Sequence, residues 1–209
     1  EVLDAIDRAD HDALRGEIGD LLFEGVFLAQ IESGEGRFTV ADSLRAIAAE
    51  GGIPTWLGAH AVPPEFEDAN GYLDFLLAEV LPEAAGLAEA ADVFVEEGAF
   101  DVEQARRYLE TCRDAGLALR MHADQFTERG ALALGVELGA RSVDHLEATG
   151  PDGVRTIAKS DVVAVLLPAS ALFLARPMPA GRALVDAGAA VALATDFNPG
   201  SAFCESLPI

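Results

Sequence analysis

Lysine is almost missing from this 209-residue chain: Lys159 stands alone beside 13 arginines, and these 14 cations face 36 acids for a formal net charge of −22. Such a surface repels nucleic acid and anionic membranes, so neither is expected as a partner. Cysteine is scarce too. Cys112 and Cys204 have no paired spacing and lie in no metal-like motif, which excludes a disulfide framework and points to a reduced, cytoplasmic setting. Long apolar runs are absent: none reaches the roughly 18 residues of a membrane helix. No basic leader with an apolar core opens the chain, so it reads without a secretion signal.

What is plentiful is apolar side chain, 51% of the residues, ample for a core and unlike a disordered chain. The acid excess has two readings. It hydrates an ordinary soluble surface, or it fits a salt-rich cytoplasm where ionic strength screens the self-repulsion. The halophilic reading is the favoured one, and neither speaks to chemistry.

Histidine is also rare, with four in all: His11, His60, His122 and His145. His11 sits in an acidic helical stretch and reads as a surface residue. The other three follow apolar segments. Leu117 to Met121 leads to His122-Ala123-Asp124-Gln125, Ser142-Val143-Asp144 leads to His145, and Ile53 to Ala59 leads to His60. Val191 to Thr195 delivers Asp196 in the same way. In a parallel barrel the C-terminal ends of the strands converge on one mouth, where active sites are built. Two imidazoles and a carboxylate meeting there suit a divalent metal and the water it activates.

The intervening segments read as helices. Asp101 caps a helix that Gly116 ends, Gly139 ends another running from Arg129 to Leu138, and further helices are expected over 72–80, 152–159 and about 179–187. Before them, Leu21 to Ile31 reads as a buried strand, followed by the loop Glu32-Ser33-Gly34-Glu35-Gly36-Arg37 and a helix after Thr39. Strands alternating with helices at least five times argue for parallel βαβ units. Neither G-x-G-x-x-G nor G-x-x-x-x-G-K-[ST] follows any strand. The expected fold is therefore an α/β (β/α)₈ TIM-type barrel, incomplete, with about strands two to eight. Residues 1–209 would form one partial barrel domain that lacks an early and a C-terminal part, because no full helix follows Asp196. Counting back from Asp196 on strand eight places His145 on six, His122 on five, Glu96 on four and His60 on three.

With those residues in place, the chain resembles the metal-dependent amidohydrolase superfamily, and within it the imidazolonepropionase family. The segments that carry the finer likeness are Leu57 to Glu65, His122 to Gln125, Asp144-His145-Leu146, Val163 to Pro168 and, above all, Ala192 to Ser201 with its Asp196-Phe197-Asn198-Pro199-Gly200-Ser201 run. The resemblance implies a hydrolase, with one zinc or iron ion, that opens 4-imidazolone-5-propanoate to N-formimidoyl-L-glutamate in histidine degradation. It implies His122 and Asp196 as metal ligands, and His145 and Asp196 as catalytic groups. His60, Gln125, Asn198, Gly200 and Ser201 would contact the substrate. With Gln at 125, the general base falls to Asp196. A small-molecule substrate follows, and a homodimer is the assembly left open.

Two positions depart from the family pattern. Glu35 stands where the family carries a substrate-touching Tyr, and no His-x-His occurs in the chain. The alternatives are another mononuclear amidohydrolase, such as a cyclic amidine deaminase, or a barrel that has lost its metal. The segment by itself is expected to be inactive. Glu96, at the end of its strand, is expected to be a solvated acid rather than a metal bridge.

Overall fold

A computed structural model describes residues 53–198 and 202–204. Six strands form one parallel sheet in sequential order: β1 (Thr55–Ala59), β2 (Ala90–Val95), β3 (Ala118–Ala123), β4 (Ser142–His145), β5 (Val163–Leu166) and β6 (Val191–Leu193). Each crossover contains helix. Between β1 and β2 lie α1 (Ala69–Phe75), a π-helical turn (Leu76–Val80) and α2 (Leu81–Ala84). Then come α3 (Val102–Asp114), α4 (Ala131–Leu138) and α5 (Pro151–Ile157), and α6 (Pro168–Phe173) with α7 (Gly181–Asp186) before β6. Parallel crossovers are right-handed almost without exception, so an order that never reverses keeps the helices on one face. That is the arc of a (β/α)₈ barrel, not a doubly wound sheet. The six described strands are those counted as three to eight. The expected strand over 21–31, the loop carrying Glu35 and the helix after Thr39 lie outside the described residues.

The alternation along each strand sorts its side chains between two environments. On β3, Leu119, Met121 and Ala123 are buried while Ala118, Arg120 and His122 are partly open. The buried set packs under the helices: a Cβ on Gly135 of α4 would lie 2.8 Å from Val143 and 3.7 Å from the Met121 sulfur. That contact explains glycine in mid-helix, because only a bare backbone lets α4 come so close to β4. The α3 side chains Tyr108, Leu109 and Cys112 are fully buried, and the Trp56 ring packs tilted against Tyr108 with centroids 5.4 Å apart. The other face looks into the barrel. Register pairs Asp92 with Arg120 and Arg120 with Ser142, a polar row across three strands, and two residues further on it pairs Phe94 with His122 and His122 with Asp144.

Helix ends follow local chemistry. Asp101 accepts from the Gln104 amide at 2.8 Å while the Gln104 side chain accepts from the Asp101 amide at 3.0 Å, a reciprocal cap. Gly139 closes α4 at φ 70°, a left-handed conformation that glycine adopts without strain. One expectation needs correction, and one helix lies where none was expected. The helix expected over 72–80 starts earlier, at Ala69, because Asp68 caps it, and it runs through a π turn into α2. Helix α6 had no expectation at all: Pro168 opens it at N1, where the missing N–H costs nothing.

Candidate metal centre

The strand ends turn sharply where the site is built. Asp124 (φ 54°), His145 (φ 84°) and Asp196 (φ 53°) all hold left-handed backbone just at or beyond β3, β4 and β6. Non-glycine residues pay for that conformation in strain, and such strain gathers at functional sites. Here it swings the side chains after each strand across the sheet's C-terminal edge. The result is a cleft of about 260 Å³ lined by Leu57, His60, Phe94, His122, Gln125, His145, Asp196 and Asn198. Six of the residues named from the sequence therefore face one space. The other two, Gly200 and Ser201, lie outside the described residues. Asn198 and Ala202 exchange backbone hydrogen bonds on either side of them, N–H to O at 2.9 and 3.3 Å.

His122, His145 and Asp196 offer one ligand atom each within 4.8 Å of one another, a donor set that suits a divalent cation. The rings of His122 and His145 lie 5.1 Å apart. A second trio, His60, Asp92 and His122, is clustered as closely, but its contacts are those of hydrogen bonds. His60 Nε2 lies 2.9 Å and His122 Nδ1 2.8 Å from one oxygen of Asp92. With Nδ1–H committed to Asp92, His122 has Nε2 left for a metal, the usual outer-carboxylate arrangement around a ligating histidine.

Asp92 was not foreseen. It is 1% exposed, the one charge in Ala90-Ala91-Asp92-Val93-Phe94-Val95, and that isolation inside an apolar strand was the available signal. Burial pushes its carboxyl up, but the His122 and His60 imidazoles outweigh this and bring it down to about 2. Burial pushes the His122 imidazolium down, and Asp92 outweighs that in turn, raising it to about 9 in the metal-free site. Burial also raises Asp124 and Asp144 above the ordinary carboxylate range.

Glu96 is not the solvated acid expected. It is 5% exposed and accepts from the amides of Glu97 (2.9 Å), Phe126 (3.0 Å) and Thr127 (3.0 Å), from the Thr127 hydroxyl, and lies 3.4 Å from Arg129. It fastens the loop after β3, which carries Gln125. Burial would raise its pKa, but the hydrogen bonds prevail and lower it. A larger cleft of about 560 Å³ runs along Glu96, Glu97, Asp101 and Arg129, but Arg129 already pairs Glu97 at 2.7 Å there, so its charges are spent on each other.

Similarity to known proteins falls into two parts. The imidazolonepropionase of Rubrobacter xylanophilus is 62% identical over 197 residues, covering 90% of this chain and 48% of its own length. The chain is homologous to the imidazolonepropionases. Those of Bacteroides fragilis and Chloroflexus aggregans are each 48% identical, over 160 and 170 residues, covering 75% of this chain and 38% and 40% of themselves. The chain thus spans about half the length of the curated relatives it matches, or less. Among solved structures it is similar to a zinc-bound adenosine deaminase from Xanthomonas campestris (TM-score 0.54, 19% identity, 84% of this chain, 46% of that one). A guanine deaminase from C. acetobutylicum gives a TM-score of 0.55 at 14% identity, over 78% of this chain and 45% of that one. These likenesses show the fold, an incomplete (β/α)₈ barrel.

The remaining finding concerns the start of the chain. The family model of the MazG nucleotide pyrophosphohydrolase domain matches residues 1–49. A 75% coverage fits within the residues after 49; the 90% coverage of the Rubrobacter relative does not, so two families claim part of the same stretch.

Proposed function

We propose that the protein hydrolyses the cyclic amide of 4-imidazolone-5-propanoate to N-formimidoyl-L-glutamate, with this chain supplying part of the catalytic barrel. The observation that carries the reading is the convergence of His122, His145 and Asp196 in one cleft of a chain homologous to imidazolonepropionases. His122 through Nε2 and Asp196 through its carboxylate would hold one divalent ion, zinc or iron. That ion would bring the pKa of water near about 7, which makes hydroxide available to a resistant amide.

The chain's own residues do the rest. Asp196 takes the proton from the attacking water and passes it to the ring nitrogen as the C–N bond breaks. His145 hydrogen-bonds the oxygen that becomes anionic, an effect worth roughly 3 kcal/mol. Asp92 keeps the His122 ring aimed. His60 and Gln125 contact the substrate, and the segment Asn198, Gly200 and Ser201 surrounds its propionate. With this reading go a cytoplasmic, salt-adapted protein of one small-molecule substrate, with a homodimer as its assembly and residues 1–209 as one partial barrel domain.

The test is metal content together with turnover of imidazolone propionate, on the full-length protein in high salt. One zinc or iron per chain, with ring opening lost in His122→Ala and in Asp196→Ala, supports the reading. Metal without turnover moves the substrate elsewhere among cyclic amides and amidines. Neither metal nor turnover leaves a barrel without chemistry.

The MazG match favours a second reading for residues 1–49 alone: a nucleotide pyrophosphohydrolase segment ahead of the barrel. Glu35 would then belong to that segment, and its departure from the family Tyr would carry no meaning for the substrate. Release of pyrophosphate from nucleoside triphosphates, unaffected by His122→Ala, supports this reading; none at any divalent ion concentration removes it.

A further inference from the structure

Beside His145 lies a carboxylate that the cleft does not account for. The Glu147 side chain is 2% exposed, and neither of its oxygens has a hydrogen-bond partner. His145 Nδ1 is buried and equally without a partner. The two lie 3.6 Å apart, beyond a hydrogen bond but within a small side-chain rotation of one. No lysine or arginine pairs with Glu147 among the described residues. A buried carboxylate left bare is destabilising, so its presence needs a reason.

The backbone supplies the geometry. His145 at φ 84° and Leu146 at φ 70° are consecutive left-handed residues, neither of them glycine. That reversal folds the chain back, so residue 147 faces the ring of residue 145. The turn is held on both sides: Leu146 N–H donates to Ala123 O at 3.2 Å, Ala148 N–H to Asp124 O at 2.7 Å, and the Thr149 hydroxyl to Asp124 at 2.7 Å. Glu147 is therefore set in place by strained and well-fastened backbone.

We propose that Glu147 is a positioning residue: it takes the Nδ1–H of His145, fixes that tautomer, and so presents Nε2 to the cleft. The arrangement repeats what Asp92 does for His122, where a buried carboxylate also faces Nδ1. Its value to catalysis rests on the ring-opening reading, in which His145 meets the reacting oxygen.

The experiment uses the full-length protein carrying nitrogen-15-labelled histidine. In the wild type, His145 is expected as the Nδ1–H tautomer, and Glu147→Leu is expected to give a mixture. With Glu147→Leu, kcat falls about tenfold while KM and bound metal stay unchanged, and Glu147→Asp recovers part of the loss. Thermal stability holds or rises, because an unpaired buried charge has been removed. In a His145→Asn background Glu147→Leu lowers kcat no further, since the two act as one unit. An unchanged tautomer with unchanged kcat overturns the proposal, as does an equal loss with and without His145. Should the wild type open no imidazolone ring, the ring-opening reading fails, and the tautomer populations alone decide the pairing.

Discussion

The middle of the arc and its last strand make unequal contributions to the same cleft. On β2, β3 and β4 each functional side chain is seated by a buried neighbour. Asp92 at 1% exposure orients His122, and Glu147 with a 2% exposed side chain faces His145. On β6, three residues long, Leu193 is 59% exposed and Asp196 follows five residues after the strand begins. Asp196 is held through its backbone: its carbonyl accepts from the Asn198 side chain at 2.7 Å, but no hydrogen bond supports its carboxylate among the described residues. Exposed Leu57 on β1, with Leu172, Phe173 and Leu193 towards the other end, shows the same gradient from centre to edge. A barrel needs its ring closed for the edge strands to be as firm as those in the middle. One half of the candidate metal site is thus preorganised by local packing, and the other half depends on what stands beside it.

This contrast can be broken from the centre outward. The largest effect is expected from Asp92→Ala, which strips two imidazoles of a buried charged partner. It should lower stability by about 3–5 kcal/mol in urea unfolding, and Asp92→Asn should weaken metal binding about 10–100-fold by titration. An Asp92→Asn protein with unaltered metal affinity would remove Asp92 from the site. Next comes Leu109→Ala, a fully buried side chain of α3, expected to cost about 2–5 kcal/mol in the same unfolding assay.

Metal binding should also follow pH. The His122 imidazolium, raised to about 9 without metal, must lose its Nε2 proton before ligating, so apparent affinity should fall about tenfold per unit below pH 9. In the metal-free protein the sign is set by both partners. Asp92, lowered to about 2, stabilises above the ordinary carboxylate range and is lost as pH falls towards 2. His122 stabilises below the ordinary imidazole range and is lost as pH rises through 9. A smaller effect belongs to Glu96, whose lowered pKa means its contribution is present above the carboxylate range and lost as pH drops through it. Glu96→Gln should cost about 1–3 kcal/mol at neutral pH and flatten the acid limb of a stability curve. The smallest is Leu193→Ala on β6, within about 0.5 kcal/mol in the same unfolding assay. A loss there as large as that of Leu109→Ala would mean that the edge is covered in solution, and the contrast would dissolve.

Much of the frame was legible because its signals are local. Apolar segments ending in His60, His122, His145 and Asp196, with caps at Asp101 and Gly139, announce alternating strands and helices whatever surrounds them. Glu96 and Asp92 were misjudged or missed for a shared reason. The apolar neighbours of Asp92 mark it as unusual, but the role of either acid depends on which amides or imidazoles another strand brings to it. Helix α6 escaped notice because six residues carry too few turns to show a period.

The sequence by itself determined that this is a parallel α/β chain with histidines and an aspartate at strand ends, because side-chain alternation and capping act over a few residues. Only the tertiary structure decided which nitrogens face the cleft. Parallel register sets Phe94 beside His122 and His122 beside Asp144, and so brings Asp92, 30 residues away in sequence, to 2.8 Å from the His122 ring. A hydrogen bond of that length depends on the packing of two strands and their helices at once, and no stretch of either strand alone encodes it.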